Sequence, residues 1–502
     1  MECKYKIEQK YMAIPIQAEE PEEMLEVFLG SEKLYEFQVP VFKDPEKVRY
    51  YSYLNVEQYQ GRELTLKGGF APAFFEHICQ SAGCERESLE RPLLHFTADR
   101  GWINDPNGLV YQNGTYHLYF QYNPMNTQWQ NMSWGHSVSQ DLLHFQQVDT
   151  VMYPDEHGTI FSGCSIVNEH GLLDLPQDAL LFCYSAAGGN SKWSEGKFFE
   201  QRIAYSVDGG KSLVKMDEPA IGVIERDTRD PKVFWHEESK AYIMVLWIKD
   251  NVFGIFRSQN LQEWEETDRL DLPDGWECPD LFCLDCEGEK VWVFTSADGY
   301  YWSGKFDGYR FTCESGRKKV YTGRLAYAAQ TYSGVQGRII SVPWLRTLNV
   351  GHLYTGMMGI PRELGLVKRG EEKLLTMVPV REYEAQKQQV CTFTWGEDPY
   401  ETEIREDVVT EIELNLQESG ELTVEFFGQE LQFAEDLLIF RGEKMEFPEK
   451  PEKIRVIIDR EVAEIFVNDG IGNACLETGE SKLTGTIRIK GGAGCGKIWS
   501  CR

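Results

Sequence analysis

Between Arg91 and Val380 the chain runs in short apolar segments cut by Gly-, Asn- and Asp-rich turns, and no long amphipathic helix interrupts them. Examples are Tyr116 to Phe120, Leu180 to Tyr184, Tyr242 to Trp247 and Val291 to Phe294. Segments of this length and composition read as β-strands. A loose internal repeat runs through them: a strand ends in a small residue, an acidic or amide turn follows, and an aromatic or apolar residue leads the return. It is seen at Ser137 to Phe145, Ser206 to Leu213, Ser258 to Trp264 and Lys305 to Phe311, with turn residues Asp141, Asp208, Asn260 and Asp307 spaced by 67, 52 and 47 positions. That period lies in the range of propeller blades. Residues 91–380 at such a period make about five four-stranded blades.

The flanks have other rhythms. Residues 1–90 form an acidic module with β-like segments at Met24 to Leu29, Leu34 to Val41, Tyr50 to Leu54 and Glu63 to Leu66, and a few helical residues around Ala73 to Ser81. It reads as a small β-sandwich, with Tyr50, Tyr51 and Tyr53 mainly packing residues. From residue 384 to 502, segments such as Ile412 to Leu416, Leu422 to Phe426, Ile454 to Ile458 and Val462 to Val467 largely alternate apolar and polar residues, as half-buried antiparallel strands do. A second β-sandwich is expected there, with Asp459, Glu464 and Asp469 solvated. The fold class is all-β.

Charge and cysteine usage narrow the partners. A formal net charge of -29 argues against nucleic acid or an anionic membrane, since binding phosphates takes a basic patch. A neutral small ligand suits it better. No stretch approaches the roughly 18 apolar residues of a membrane span, and the charged first residues lack the apolar run of a signal peptide. Thirteen scattered cysteines suit reduced thiols, so a cytoplasmic protein is expected. Cys283 and Cys286 have metal-like spacing but no second pair at ligand distance, so neither metal nor cofactor is expected. A homo-oligomer is left open.

Three carboxylates sit in comparable settings: Asp105 in Gly101-Trp-Ile-Asn-Asp-Pro-Asn-Gly108, Asp230 in Arg229-Asp-Pro231, and Glu277 in Trp276-Glu-Cys-Pro279. The first stretch alone is a turn. In a propeller, however, loops from different blades converge on one funnel, so the three acids can share a site. Carboxylates so gathered repel, and the one in the most apolar surroundings keeps its proton. Glu277, between Trp276 and Cys278-Pro279, is the natural protonated acid. Asp105, between Asn104 and Asn107, is the natural ionised nucleophile, and Arg229 should keep Asp230 charged. Among 80 Asp and Glu residues, spacing alone still allows three unrelated surface acids.

At these residues the chain resembles glycoside hydrolase family 32, the β-fructosidases. Trp102 to Gly108 is similar to the family's WMNDPNG signature with Ile103 for Met, Arg229 to Pro231 to its RDP motif, and Glu277-Cys278 to its EC motif. Phe120 to Pro124, Trp134 to His136, Phe161 to Gly163, Pro361 to Leu364 and Asp459 to Gly470 also have counterparts there. The first 90 residues resemble, more weakly, extra N-terminal β domains of levanase-like members. The resemblance implies a five-bladed β-propeller followed by a C-terminal β-sandwich.

It also implies a retaining exo-β-fructofuranosidase acting on sucrose, fructooligosaccharides or short levan and inulin fragments. Asp105 would be the nucleophile, Glu277 the acid and base, and Asp230 a partner of fructose hydroxyls, with the two reacting carboxyls roughly 5 to 5.5 Å apart. Asn104, Gln121, Trp129, Phe161, Ser162, Arg229 and Trp344 would line the fructose subsite. For Trp129 and Trp344 core packing is the competing reading, and for Ser162 an inert turn. Leu325 to Gln330 departs from the family's Asp-Phe-Tyr-Ala run, and Pro343 stands where Gly commonly precedes the Trp; both changes bear on acceptor specificity. A fructosyltransferase on the same site is one alternative, and a non-catalytic fructan-binding propeller is another. A phosphorylated sucrose would require Lys or Arg at the pocket mouth.

Overall fold

The computed structural model describes residues 1–18, 20–85, 91–404, 408–418, 420–479 and 485–501. The expected boundary at residue 90 lies outside them. Strands dominate; the two α-helices among the described residues, Pro72–His77 and Arg381–Gln386, span six residues each.

At the N-terminus a four-stranded sheet (Glu2–Lys6, Glu63–Gly68, Glu22–Leu29, Glu32–Pro40) accompanies a three-stranded one (Tyr50–Asn55, Tyr11–Ile16, Cys79–Ser81). They share one apolar core built on Ile14, Leu25, Val27, Phe37, Leu64 and Phe74. Tyr11–Ile16 is buried along its whole length, so it shows no alternation and the sequence pattern passes over it. Tyr50 is buried while Tyr51 and Tyr53 are partly exposed, the two faces of one strand.

From Gly101 to Pro379 the chain forms successive antiparallel sheets. The first holds Gly101–Gln112, Thr115–Asn123, Ser133–Ser139 and Gln146–Met152; the second runs from Thr159–Val167 to Val214–Ile221; the third from Arg229–His236 to Glu265–Asp271; the fourth from Asp280–Cys286 to Phe311–Cys313; and the last from Ala326–Thr331 to Glu372–Pro379. The repeat seen in the sequence is the turn from the third to the fourth strand. Asp141, Asp208, Asn260 and Asp307 each accept two backbone N–H groups from that turn through a side-chain oxygen. These are local side-chain caps of the kind Asn and Asp favour. In the last sheet Gly370, at φ 60°, turns the chain instead.

The first strands of these sheets gather around one axis. Ser165 Oγ donates to Gly108 O at 2.7 Å, Gln330 Nε2 to Gly163 O at 3.1 Å, and Thr331 Oγ1 to Asp280 Oδ2 at 2.8 Å. The ring closes where Tyr354–Thr355 pairs in parallel with Gly101 and Trp102.

The C-terminal part stacks a seven-stranded sheet on a six-stranded one over a core that includes Ile412, Val424, Leu431, Ile465 and Ile487. Asp469 is in a turn, at φ 57°. Asp459 and Glu464 are not solvated, contrary to the expectation from alternation: they are 1% and 0% exposed. Both point across the junction to His95, whose Nδ1 is 2.8 Å from Asp459 Oδ2 and whose Nε2 is 3.1 Å from Glu464 Oε1. Arg362 Nη2 donates to Glu464 Oε2 at 3.0 Å, and Leu93 and Leu94 donate backbone N–H groups to Asp459. A strand position that is polar in the sequence is buried when a second body covers it and supplies partners.

Candidate active site

Gly101–Gln112 is a strand, not the turn its composition suggests, and it is bent by register breaks between Ile103 and Pro106 and between Asn107 and Val110. Gly101 sits at φ 86°, where a Cβ would lie 2.3 Å from Asn123 O, so only glycine fits. The other first strands break at the same level: between Ile160 and Gly163, Arg229 and Lys232, and Tyr327 and Gln330. At the fourth sheet, Glu277 and Cys278 take φ of 47° and 40° just before Asp280–Cys286. Asp230 and Ala328 are also left-handed, at 65° and 49°. Bulges re-aim side chains, and non-glycine residues held at positive φ concentrate at functional sites. Here they turn Asp105, Ser162, Asp230, Cys278, Ala328 and Gln330 onto one small cavity.

Hydrogen bonds join Asp105 and Asp230 through Cys278, and Arg229 and Tyr327 hold the neighbouring Glu277. Ser162 Oγ donates to Asp105 Oδ2 at 2.6 Å. Cys278 contributes its backbone N–H to Asp230 Oδ2 at 3.2 Å, and its Sγ is 3.5 Å from that atom and 3.7 Å from Asp105 Oδ2. Asp230 is fixed from behind, its N–H donating to Ser185 Oγ at 3.0 Å, while Ser185 donates to Gln201 at 2.7 Å. Both Glu277 oxygens accept: Oε1 from Arg229 Nη2 and Oε2 from Tyr327 OH at 2.9 Å. The Arg229 guanidinium lies over the Trp247 ring at 4.1 Å.

Burial raises the proton affinity of Asp105, with the Glu277 charge adding to it, against the opposing donors Ser162, Asn104 and Cys278. Asp230 is pushed well above the usual carboxylate range, first by burial and then by the Glu277 and Asp105 charges, despite Arg229. The expectation that Arg229 holds Asp230 ionised therefore meets a different geometry: Arg229 Nη2 reaches Glu277, and its Nε stays 3.9 Å from Asp230. Burial and three neighbouring carboxylates hold the Cys278 thiol protonated, its pKa far above the ordinary value. It is thus a donor. Asp105, Asp230 and Cys278 each offer one atom within 4.8 Å of the others, and a cation there would have to displace the thiol proton.

The remaining candidate subsite residues each meet an aromatic neighbour. Trp129 is 45% exposed and stands edge-on to Phe161 at 6.1 Å, while the Phe161 carbonyl accepts from Trp134 Nε1 at 3.0 Å. Trp344 is edge-on to Trp102 and Tyr327, and its indole N–H is buried without a protein partner. Asn104 accepts from Trp102 Nε1 at 2.9 Å. Gln121 is buried opposite Trp134 on the next strand, with its Nε2 unpartnered. Sequence reasoning missed Tyr327 as a partner of Glu277 and Cys278 as the bridge between Asp105 and Asp230. Cys278 directly follows Glu277, and Tyr327 lies in Leu325 to Gln330, marked in the sequence only as a departure from the family pattern.

The family model for the "Glycosyl hydrolases family 32 N-terminal domain" matches residues 95–379. Levanase from Bacillus subtilis is 36% identical over 328 residues, 59% of this chain and 47% of that protein. Invertase from Debaryomyces hansenii is 32% identical over 333 residues, 59% of this chain and 61% of that protein. The matched stretch thus spans about half the length of these relatives. Among solved structures, exo-inulinase from Aspergillus awamori superposes with a TM-score of 0.75 at 22% identity, covering 84% of this chain and 99% of that one. A glycoside hydrolase family 32 structure from Bifidobacterium adolescentis covers 100% of this chain and 99% of its own at TM-score 0.70 and 19% identity. These two likenesses concern the fold, a propeller followed by a β-sandwich. With the family match running over more than half of its residues, this chain belongs to glycosyl hydrolase family 32.

Proposed function

We propose that the protein is a retaining exo-β-fructofuranosidase that releases terminal fructose from sucrose, fructooligosaccharides or short levan and inulin fragments. The observation that carries this reading is the bridging of Asp105 and Asp230 by Cys278 at one cavity, with the neighbouring Glu277 held by Arg229 and Tyr327 and close enough for its charge to act on both. The names of the relatives support the substrate class: levanase, invertase and exo-inulinase. We read the successive sheets of residues 91–380 as five propeller blades, residues 1–90 as a separate β module, and residues 384–502 as the C-terminal sandwich.

In this reading a carboxylate oxygen of Asp105 attacks the anomeric carbon as the glycosidic C–O bond breaks, and Glu277 gives its proton to the departing oxygen. Water then adds to the fructosyl ester, losing a proton to Glu277 and freeing Asp105. Ser162 and Cys278 hold Oδ2 of Asp105 in place. Asp230, with its raised proton affinity, can both donate to and accept from sugar hydroxyls. Arg229 and Tyr327 each donate to one Glu277 oxygen, the arrangement suited to accepting a proton from water. Asp105→Ala should abolish fructose release from sucrose and fructooligosaccharides; release undiminished by that change would overturn the assignment.

A further inference from the structure

We infer that the N-terminal module is part of the substrate-recognition apparatus: through Glu36 and Gln38 it positions two rim loops that contact sugar units beyond the terminal fructose. This rests on the fructosidase reading and extends it to chain length.

The module docks through its edge strand, Glu32–Pro40. Gln38 and Asn131 exchange two hydrogen bonds, from Gln38 N to Asn131 Oδ1 at 2.7 Å and from Asn131 Nδ2 to Gln38 O at 2.8 Å. The Asn131 side chain thereby occupies backbone groups of the edge strand that would otherwise stay unpaired. In the same loop, Asn126 Nδ2 donates to Glu22 Oε1 at 2.8 Å. That loop carries Trp129, the half-exposed aromatic of the pocket rim.

The second loop, residues 188–199, is held from the same strand. Glu36, only 4% exposed, accepts from Trp193 N at 3.1 Å through Oε1 and from Lys33 Nζ at 2.8 Å through Oε2. Lys33 also stands over the Trp193 ring at 5.1 Å. At the loop's far end Phe199 packs edge-on against Phe161 at 5.2 Å. Phe161 precedes Ser162, the donor to Asp105, and also meets Trp129. Phe198 is left 49% exposed beside them. A buried carboxylate of the module thus sets a loop that ends against the wall of the fructose pocket. Exposed aromatics on such a rim suit the apolar faces of further sugar units.

Elsewhere the module meets the propeller without touching these loops: Lys10, Tyr11 and Asn55 all bond Asp149, on the outer strand of the first sheet. That contact supplies a control. The test is steady-state kinetics of the full chain on sucrose and on a fructose-terminated tetrasaccharide, with Glu36→Ala, Glu36→Gln, Trp193→Ala and Tyr11→Phe. Glu36→Ala should raise KM for the tetrasaccharide about fivefold, the size of one net hydrogen bond, and leave its kcat and the sucrose constants within about twofold. Glu36→Gln should restore KM, because its amide oxygen can still accept from Trp193 N–H. Trp193 is only partly buried, so Trp193→Ala serves if Glu36→Ala does not fold: it keeps the backbone N–H to Glu36 but removes the ring under Lys33, and should raise tetrasaccharide KM about threefold with the sucrose constants unchanged. Tyr11→Phe should change nothing. The inference is overturned if tetrasaccharide KM stays at the wild-type value, if sucrose and tetrasaccharide shift together, or if Tyr11→Phe reproduces the effect. A wild-type protein that releases fructose from neither substrate would instead sink the fructosidase reading.

Discussion

Tyr327 OH donates to Glu277 Oε2 at 2.9 Å, so the last sheet of the ring grips the carboxyl that enters the fourth. Arg229, from the third, occupies the other oxygen. Glu277 is steered from both sides.

Removing the tyrosine hydroxyl should therefore be felt in the chemical step more than in binding. Tyr327→Phe is expected to lower kcat about tenfold or more, the cost of one hydrogen bond to a charged group, with KM for sucrose changed little. A KM effect without a kcat effect would show that Tyr327 serves the sugar and not Glu277.

Glu277→Gln should lose most on poor leaving groups, because these need the proton. Comparing sucrose with an activated aryl fructoside tests this: an equal loss on both would rule out the acid role.

The Cys278 thiol donates toward both Asp105 and Asp230. A donor lowers the proton affinity of the carboxylate it serves, so Cys278→Ala should raise that of Asp105 further. Activity that needs ionised Asp105 is then lost at a higher pH as the solution is acidified. The acid limb of kcat/KM should move toward neutrality in Cys278→Ala and return toward the wild-type position in Cys278→Ser, whose hydroxyl still donates. Superimposed pH profiles would refute the bridging role.

At the propeller–sandwich junction, two buried carboxylates and Arg362 surround His95, and hydrogen bonds to Asp459 and Glu464 outweigh burial to raise its pKa to about 9 from 6.5. A group whose folded pKa is raised contributes stability that is whole below the unfolded value and is lost as pH rises through the folded one. Melting temperature should accordingly fall between about pH 6.5 and 9. His95→Gln, which leaves two buried carboxylates to one arginine, should be destabilised at neutral pH by about 3 kcal/mol or more and show little of that alkaline decline. A wild-type melting temperature flat across the window would refute charged His95.

Much of this was legible in the sequence because it is local. The Asx turns at Asp141, Asp208, Asn260 and Asp307 are made by residues bonding their own neighbours, so their spacing showed in the chain. The three acids were legible as motifs for the same reason. What stayed hidden depends on partners far along the chain. Glu464 looked solvated because only position 95, 369 residues away, supplies its imidazole. That Arg229 donates to Glu277, 48 residues on, while its Nε stands 3.9 Å from its neighbour Asp230, goes with left-handed backbone at both acids. Periodicity has no means of reporting such a turn of the chain.

The parallel pairing of Tyr354 and Thr355 with Gly101 and Trp102 sets an order of events in time. A ribosome that has delivered the first four sheets has already delivered Asp105, Asp230 and Glu277. The strand carrying Asp105 still lacks its last neighbour until residue 355 emerges, some 250 positions later. Contacts across so long a loop form slowly. The nascent protein thus holds every reacting group well before it has the ring that brings them together, and competence should arrive in one late step.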